Sequence, residues 1–145
     1  MLKSEKKISD DKYTYGIEIE RSSKNFLIDM ASECEKGRAL DIGCGTGVNA
    51  NHLKKLGFKI TGLDLSHLAI KKLIDNGHEG IVHDIAKGIT FEENSFELVF
   101  ASEVIEHLDD IVDFLTEIKR VLKPGGTLLL STPNSVFWAY RILTL

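Results

Sequence analysis

The chain has 145 residues, 43% of them hydrophobic and 28% charged, with a formal net charge of −4. This is the make-up of one soluble globular domain long enough to bury a core, and its negative balance argues against a sequence-independent grip on nucleic acid. The two cysteines, Cys34 and Cys44, form neither a C-x-x-C pair nor a metal-type spacing and read as free thiols in a reducing compartment. No apolar run reaches the length of a membrane span. The N-terminal MLKSEKKISDDKYTYG carries charge without an apolar core, so it does not read as a signal peptide, and the expected location is the cytoplasm.

Residues 1–16 are polar and aperiodic and read as a flexible segment preceding a domain over 17–145. From Arg21 to Glu35 the spacing of Leu27, Met30, Ala31 and Cys34 predicts a helix with one apolar stripe, capped by Gly37 and covering one edge of a ligand cleft. Strand and helix then alternate. Ala39 to Ile42 is a short strand, Thr46 to Leu56 a helix ended by Gly57, and Lys59 to Asp64 a second strand. Ser66 caps a helix that turns Ala69, Ile70, Leu73 and Ile74 inward and stops at Gly77. Gly80 to Asp84 is a third strand, followed by a loop from Ile85 to about Ser95. Phe96 to Ser102 is a fourth strand. Asp109 or Asp110 caps a helix with Ile111, Phe114, Leu115, Ile118 and Val121 on one face and Lys119, Arg120 and Lys123 at its cation-favouring end. Pro124-Gly125-Gly126 breaks it, Thr127 to Thr132 is a fifth strand, and Pro133 onward is read as a terminal helix that packs Phe137, Trp138 and Tyr140 on the sheet. His52, His67 and His78 fall at polar positions and read as solvent-facing.

Apolar strands that alternate with helices predict an α/β, doubly wound, mainly parallel sheet covered on both faces. In such sheets ligands bind beyond the carboxyl ends of the strands. The stretch Leu40-Asp41-Ile42-Gly43-Cys44-Gly45-Thr46-Gly47 is a strand running into a glycine-rich turn, where a ligand can lie on bare main chain. Asp64 ends the second strand about twenty residues past the first glycine, where a carboxylate can accept both hydroxyls of a ribose; the plainer role is a partner for a helix dipole. Val48 stands where a dinucleotide fingerprint wants glycine or alanine, and Asp41 puts a negative charge where a pyrophosphate would sit. An acid there suits a ligand with a cationic end. No Gly-Lys-Ser/Thr follows, which excludes a P-loop.

Taken with Gly62-Leu63-Asp64-Leu65-Ser66, His83-Asp84-Ile85 and Leu122-Lys123-Pro124-Gly125-Gly126, this turn resembles the class I S-adenosylmethionine-dependent methyltransferases, in order from about Arg38 to Asn134. The resemblance implies the Rossmann-like fold of that class and S-adenosylmethionine as cofactor, with S-adenosylhomocysteine as product. It implies that Asp41 and the main chain of Gly43, Cys44 and Gly45 hold the methionine part. Asp64 takes the ribose with Leu65 beside the adenine, Asp84 accepts from the adenine amino group with Ile85 under the ring, and Ser102 lies near the sulfonium.

If Glu103-Val104-Ile105-Glu106-His107 is helical, Glu103, Glu106 and His107 share one face. Two carboxylates and an imidazole so placed could hold a divalent cation or act as general base. The alternative is two acids at a helix start and a histidine in the cleft wall, and a metal is the less favoured reading. The E-x-x-E-H pattern resembles quinone-precursor O-methyltransferases, which implies a small-molecule methyl acceptor. It also resembles small-RNA terminal 2′-O-methyltransferases, but the further histidine those need after the fifth strand is missing.

The family fold ends in two more strands, apparently lacking here. That leaves Thr127 to Thr132 as an uncovered, charge-free edge and predicts a fragment or a homodimer through this edge. A non-catalytic cofactor-binding or assembly module is therefore the rival to an enzyme. A nicotinamide-dependent oxidoreductase would share the ribose acid but not the third-glycine spacing.

Overall fold

The computed structural model describes residues 22–132 and 140–142. The segment 1–16, and the aromatic pair Phe137 and Trp138, lie outside the described residues. In chain order the elements are α1 (Ser22–Ser32), β1 (Arg38–Ile42), α2 (Val48–Lys55), β2 (Lys59–Asp64), α3 (His67–Asp75), β3 (Glu79–Val82), β4 (Phe96–Ser102), α4 (Ile111–Val121), β5 (Leu122–Ser131) and β6 (Tyr140–Ile142). Short 3-10 turns fill Ile85–Lys87 and Ile105–His107.

The strands form one sheet in the order β3-β2-β1-β4-β5-β6. The pairs from β3 to β5 are parallel, and β6 runs antiparallel to β5. Successive side chains on a strand point to opposite faces, and both faces here are covered. Ala39, Leu98 and Phe100 join Leu27 and Ala31 of α1, Leu53 of α2 and Leu73 of α3 in one core. Leu40, Val99 and Ala101 join Phe114, Ile118 and Val121 of α4 in the other. Burial on both sides is why these strands read as unbroken apolar runs rather than as alternation.

Several expectations change in detail. Helix α1 stops at Ser32, five residues before Gly37, and the Lys36 ammonium caps it by donating to the carbonyls of Ala31 (2.9 Å) and Ser32 (2.8 Å). It packs on β5 and α2. Ile74 is 51% and Ile111 44% exposed, so each helix buries a narrower stripe than its apolar residues suggest. His78 is buried rather than solvent-facing, with Nε2 2.7 Å from Asn51 Oδ1 on α2, and burial followed by the charge of Lys54 lowers its pKa.

Helix α4 ends at Val121, and Leu122 already pairs with Phe96. The next pair is Leu98 with Thr127, so Lys123 to Gly126 bulge out opposite Glu97. Pro124 has no N–H for the ladder, and a Cβ at Gly126 would lie 2.8 Å from the Lys123 carbonyl oxygen. Lys123 pairs with Glu97 across this bulge.

The largest correction concerns the sheet edge. Tyr140 lies in β6, not in a helix, and Leu128, Leu129 and Leu130 of β5 face Ile142, Arg141 and Tyr140. A short antiparallel strand therefore lies along Leu128 to Leu130, the middle of the edge expected to be uncovered.

Candidate cofactor site

The glycine turn is built at the carboxyl end of β1. Gly43 N and Cys44 N both donate to the Leu63 carbonyl, at 2.8 and 3.1 Å, which ties the turn to the end of β2. Gly43 (φ 66°) and Gly47 (φ 95°) take left-handed backbone that a side chain would strain, and Gly47 opens α2. Gly43 is exposed, and a Cβ on it would lie 3.0 Å from Val104 Cγ2 in the connection after β4. Bare main chain thus lies open between the ends of β1 and β4.

Glycine has a second use here. A Cβ at Gly47 would meet Leu73 Cδ1 at 2.6 Å, one at Gly62 would meet Leu73 Cδ2 at 2.5 Å and Cys44 Sγ at 2.6 Å, and one at Gly80 would meet Leu73 Cδ2 at 2.8 Å. Leu73, fully buried on α3, sits in a socket of three glycines from the turn, β2 and β3. The socket draws α3 onto the sheet and sets the end of β2 beside the turn.

Asp64 stands at that end. Its Oδ2 accepts from Gly45 N (3.0 Å) and its Oδ1 from Ser66 N (2.9 Å), so two amides orient the carboxylate. Ser66 caps α3 by accepting from Ala69 N at 3.1 Å. Asp41 is 1% exposed beneath the turn. Burial first, then the charges of Asp41 and Asp64, push the Cys44 thiol far up, so it stays protonated. Cys44 Sγ approaches the Gly45 carbonyl at 3.6 Å. The field of two carboxylates under an open backbone favours a cationic ligand group, and the donor set fits an amino acid joined to a ribose.

The connection after β3 supplies the next wall. His83 N donates to the Asp64 carbonyl (3.0 Å), and His83 Nε2 donates to the Gly88 carbonyl (2.8 Å). Asp84 caps the 3-10 turn by accepting from Ala86 N at 3.0 Å, and Ile85 is half-buried against the α4-side core. Leu65 is half-buried just past Asp64.

At the end of β4, Ser102 Oγ lies 3.0 Å from Ser131 Oγ of β5, and Glu103 N donates to the Ser131 carbonyl at 2.8 Å. Glu103 has left-handed backbone (φ 57°), a conformation uncommon for a residue with a side chain. The helical reading of this stretch fails. Only Ile105–His107 forms a 3-10 turn, so Glu103, Glu106 and His107 do not share a helix face. Glu106 and His107 are exposed, with Glu106 Oε1 4.0 Å from His107 Nε2. Among the described residues, no group of three or more His, Cys, Asp or Glu is placed to hold a metal ion.

Ser131 is not singled out by the sequence, where the fifth strand runs to Thr132; in the structure the strand ends at Ser131 itself. Arg120 reads in the sequence as a cation at the helix end. The guanidinium instead donates to the carbonyls of Phe91 and Ile89, each at 2.7 Å.

Known proteins place this arrangement. A family model described as a methyltransferase domain matches residues 40–130. A ubiquinone biosynthesis O-methyltransferase of Bradyrhizobium sp. (strain ORS 278) is 39% identical over 104 residues, covering 67% of this chain and 40% of that protein. The chain thus spans less than half the length of this curated relative. Among solved structures, a Pyrococcus horikoshii OT3 protein superposes with a TM-score of 0.72 at 25% identity, covering 93% of this chain and 64% of that one. Phosphoethanolamine N-methyltransferase 2 of Haemonchus contortus, determined in complex with S-adenosyl-L-methionine, superposes with a TM-score of 0.70 at 26% identity over 86% of this chain and 32% of that one. From the turn at Gly43 to the end of β5 the chain follows one pattern throughout, and it belongs to the class I S-adenosylmethionine-dependent methyltransferase family.

Proposed function

We propose that the protein transfers a methyl group from S-adenosylmethionine to a hydroxyl oxygen of a small molecule. The cradle formed by the open Gly43 main chain and the amide-oriented Asp64 carboxylate carries the reading. The named role of the Bradyrhizobium relative, O-methylation in ubiquinone biosynthesis, supports an aromatic hydroxyl of a quinone precursor as acceptor.

When bound, the cofactor supplies a methyl group already activated by its positive sulfur, so an acceptor oxygen displaces a neutral thioether. The chain then has to hold the cofactor, align the oxygen and exclude water. Asp41, Gly43, Cys44 and Gly45 would hold the methionine end. Asp64 and Leu65 would hold the ribose and one side of the adenine, and Asp84 and Ile85 the adenine edge and face. Ser102, hydrogen-bonded to Ser131, would stand on the sulfonium side. Of the acceptor-side candidates Glu103, Glu106 and His107, Glu103 is the best placed to take the hydroxyl proton, because it directly follows Ser102.

Calorimetric titration with S-adenosylhomocysteine tests the cofactor half. Saturable binding is expected, and Asp64→Ala should weaken it at least tenfold, as loss of hydrogen bonds to a charged acceptor does. An intact chain that binds nothing overturns the reading. Transfer of a labelled methyl group to a catechol tests the other half, with Glu103→Gln expected to lower kcat by about a hundredfold or more for loss of a general base.

A further inference from the structure

The connection from β3 to β4, residues 83–95, carries two of the adenine-side residues, Asp84 and Ile85. Apart from the short 3-10 turn it has no regular structure. Sheet pairing does not set its course, and the backbone groups of such a segment need partners from elsewhere. At its near end the two His83 bonds fold it against Asp64 and close it on Gly88.

At its far end the partners come from α4. Arg120 Nη1 donates to the Phe91 carbonyl and Nη2 to the Ile89 carbonyl, each at 2.7 Å. Glu117 Oε2 accepts from Ile89 N at 3.0 Å. Arg120 Nε and Nη2 also donate to Glu117 Oε1 and Oε2, each at 2.8 Å. The pair therefore grips both the N–H and the C=O of one residue, Ile89. Next to it, Gly88 (φ 88°) is within ordinary contact distance of the same carboxylate, a Cβ there standing 3.5 Å from Glu117 Oε2. A planar guanidinium with donors in a fixed fork can do this; a lysine ammonium cannot. The hydrogen bonds from Arg120, followed by that from Ile89 N, hold the Glu117 carboxyl down to about 2, so it is ionised at neutral pH.

We infer that Glu117 and Arg120 are positioning residues for the adenine end of the cofactor site. They act through Ile89 and Gly88 to set where Asp84 and Ile85 stand. The inference rests on the cofactor reading above and adds to it a source of adenine specificity outside the pocket.

The test titrates the full chain with two ligands, S-adenosylhomocysteine and S-inosylhomocysteine, in which a carbonyl oxygen replaces the adenine amino group. The unchanged chain should prefer the adenosyl ligand, because Asp84 accepts from the amino group. Arg120→Lys keeps the charge and loses the fork. It should weaken the adenosyl ligand about tenfold, the worth of one or two lost hydrogen bonds, and leave the inosyl ligand little changed, so that the preference collapses. Glu117→Ala should do the same, and both should speed hydrogen exchange at the Ile89 amide. Lys119→Ala, exposed on the same helix, should change none of these. Retained preference in folded Arg120→Lys or Glu117→Ala overturns the inference while leaving the cofactor reading intact. Failure of the unchanged chain to bind either ligand overturns both.

Discussion

Two amides, from Gly45 and Ser66, orient the Asp64 carboxylate. An acid this close to the end of β2 was legible from its distance to the first glycine; its orientation needed the backbone of two other segments. Glu117 shows a comparable dependence on context. Its carboxyl titrates near 2 instead of 4.5, held down first by Arg120 and then by Ile89 N. A carboxyl with a lowered folded-state pKa contributes stability that is fully present above its unfolded value and is lost as pH falls through the folded one. Denaturant titrations between pH 5 and pH 2 should therefore find the unchanged chain losing stability more steeply than Glu117→Gln. Parallel curves would show that the carboxylate is not held as described.

The helices owe their positions to caps and sockets more than to the length of their apolar stripes. Asp110 starts α4 by accepting from Asp113 N at 2.9 Å. Asp110→Ala should cost about 1 kcal/mol in urea unfolding, the usual worth of an N-cap. Leu73 anchors α3 to the sheet, because glycines at positions 47, 62 and 80 leave room for its two methyl groups. Leu73→Ala should cost about 2–5 kcal/mol. Gly62→Ala, which would set a methyl group 2.5 Å from Leu73 Cδ2, should cost about 1–3 kcal/mol by overpacking. Both changes should also weaken S-adenosylhomocysteine, since the socket sets Asp64 against the turn. The stretch after β4, like the segment at Tyr140, departs from the helix expected of it. Its Glu-x-x-Glu-His spacing suits a helix, but the backbone leaves Ser102 through a left-handed Glu103 bound to Ser131, and only one tight turn follows.

For the molecule as a whole, β6 changes the expected behaviour in solution. Leu128 to Leu130 would otherwise present an apolar row of open backbone groups, the kind of edge that pairs with another chain. With β6 hydrogen-bonded there, a chain ended after Thr132 should self-associate with rising concentration in sedimentation velocity, more strongly than the 145-residue chain. Equal association of the two would mean that β6 does not protect the edge. The same sheet order places the turn after β1 between the ends of β2 and β4. Every candidate cofactor residue consequently comes from one side of the molecule, although they span Asp41 to Ser102 in sequence.

Hydrophobic period, glycines and acids were enough for the sequence alone to determine the alternating elements, the parallel sheet, the bounds of β2 and β4, and the strand-end positions of Gly43, Asp64 and Asp84. These are local properties, since an apolar run, a capping serine or a glycine turn carries its meaning within a few residues. What only the tertiary structure decided depends on partners distant in the chain. It seated Leu73 among glycines of three elements, paired Ser102 with Ser131, buried His78 against Asn51, and closed the edge of β5 with β6. It also turned Arg120 from a cation at a helix end into a clamp on a loop about thirty residues away. Spacing along one strand or helix cannot encode such contacts, because each is made by two segments that meet only when the sheet is assembled.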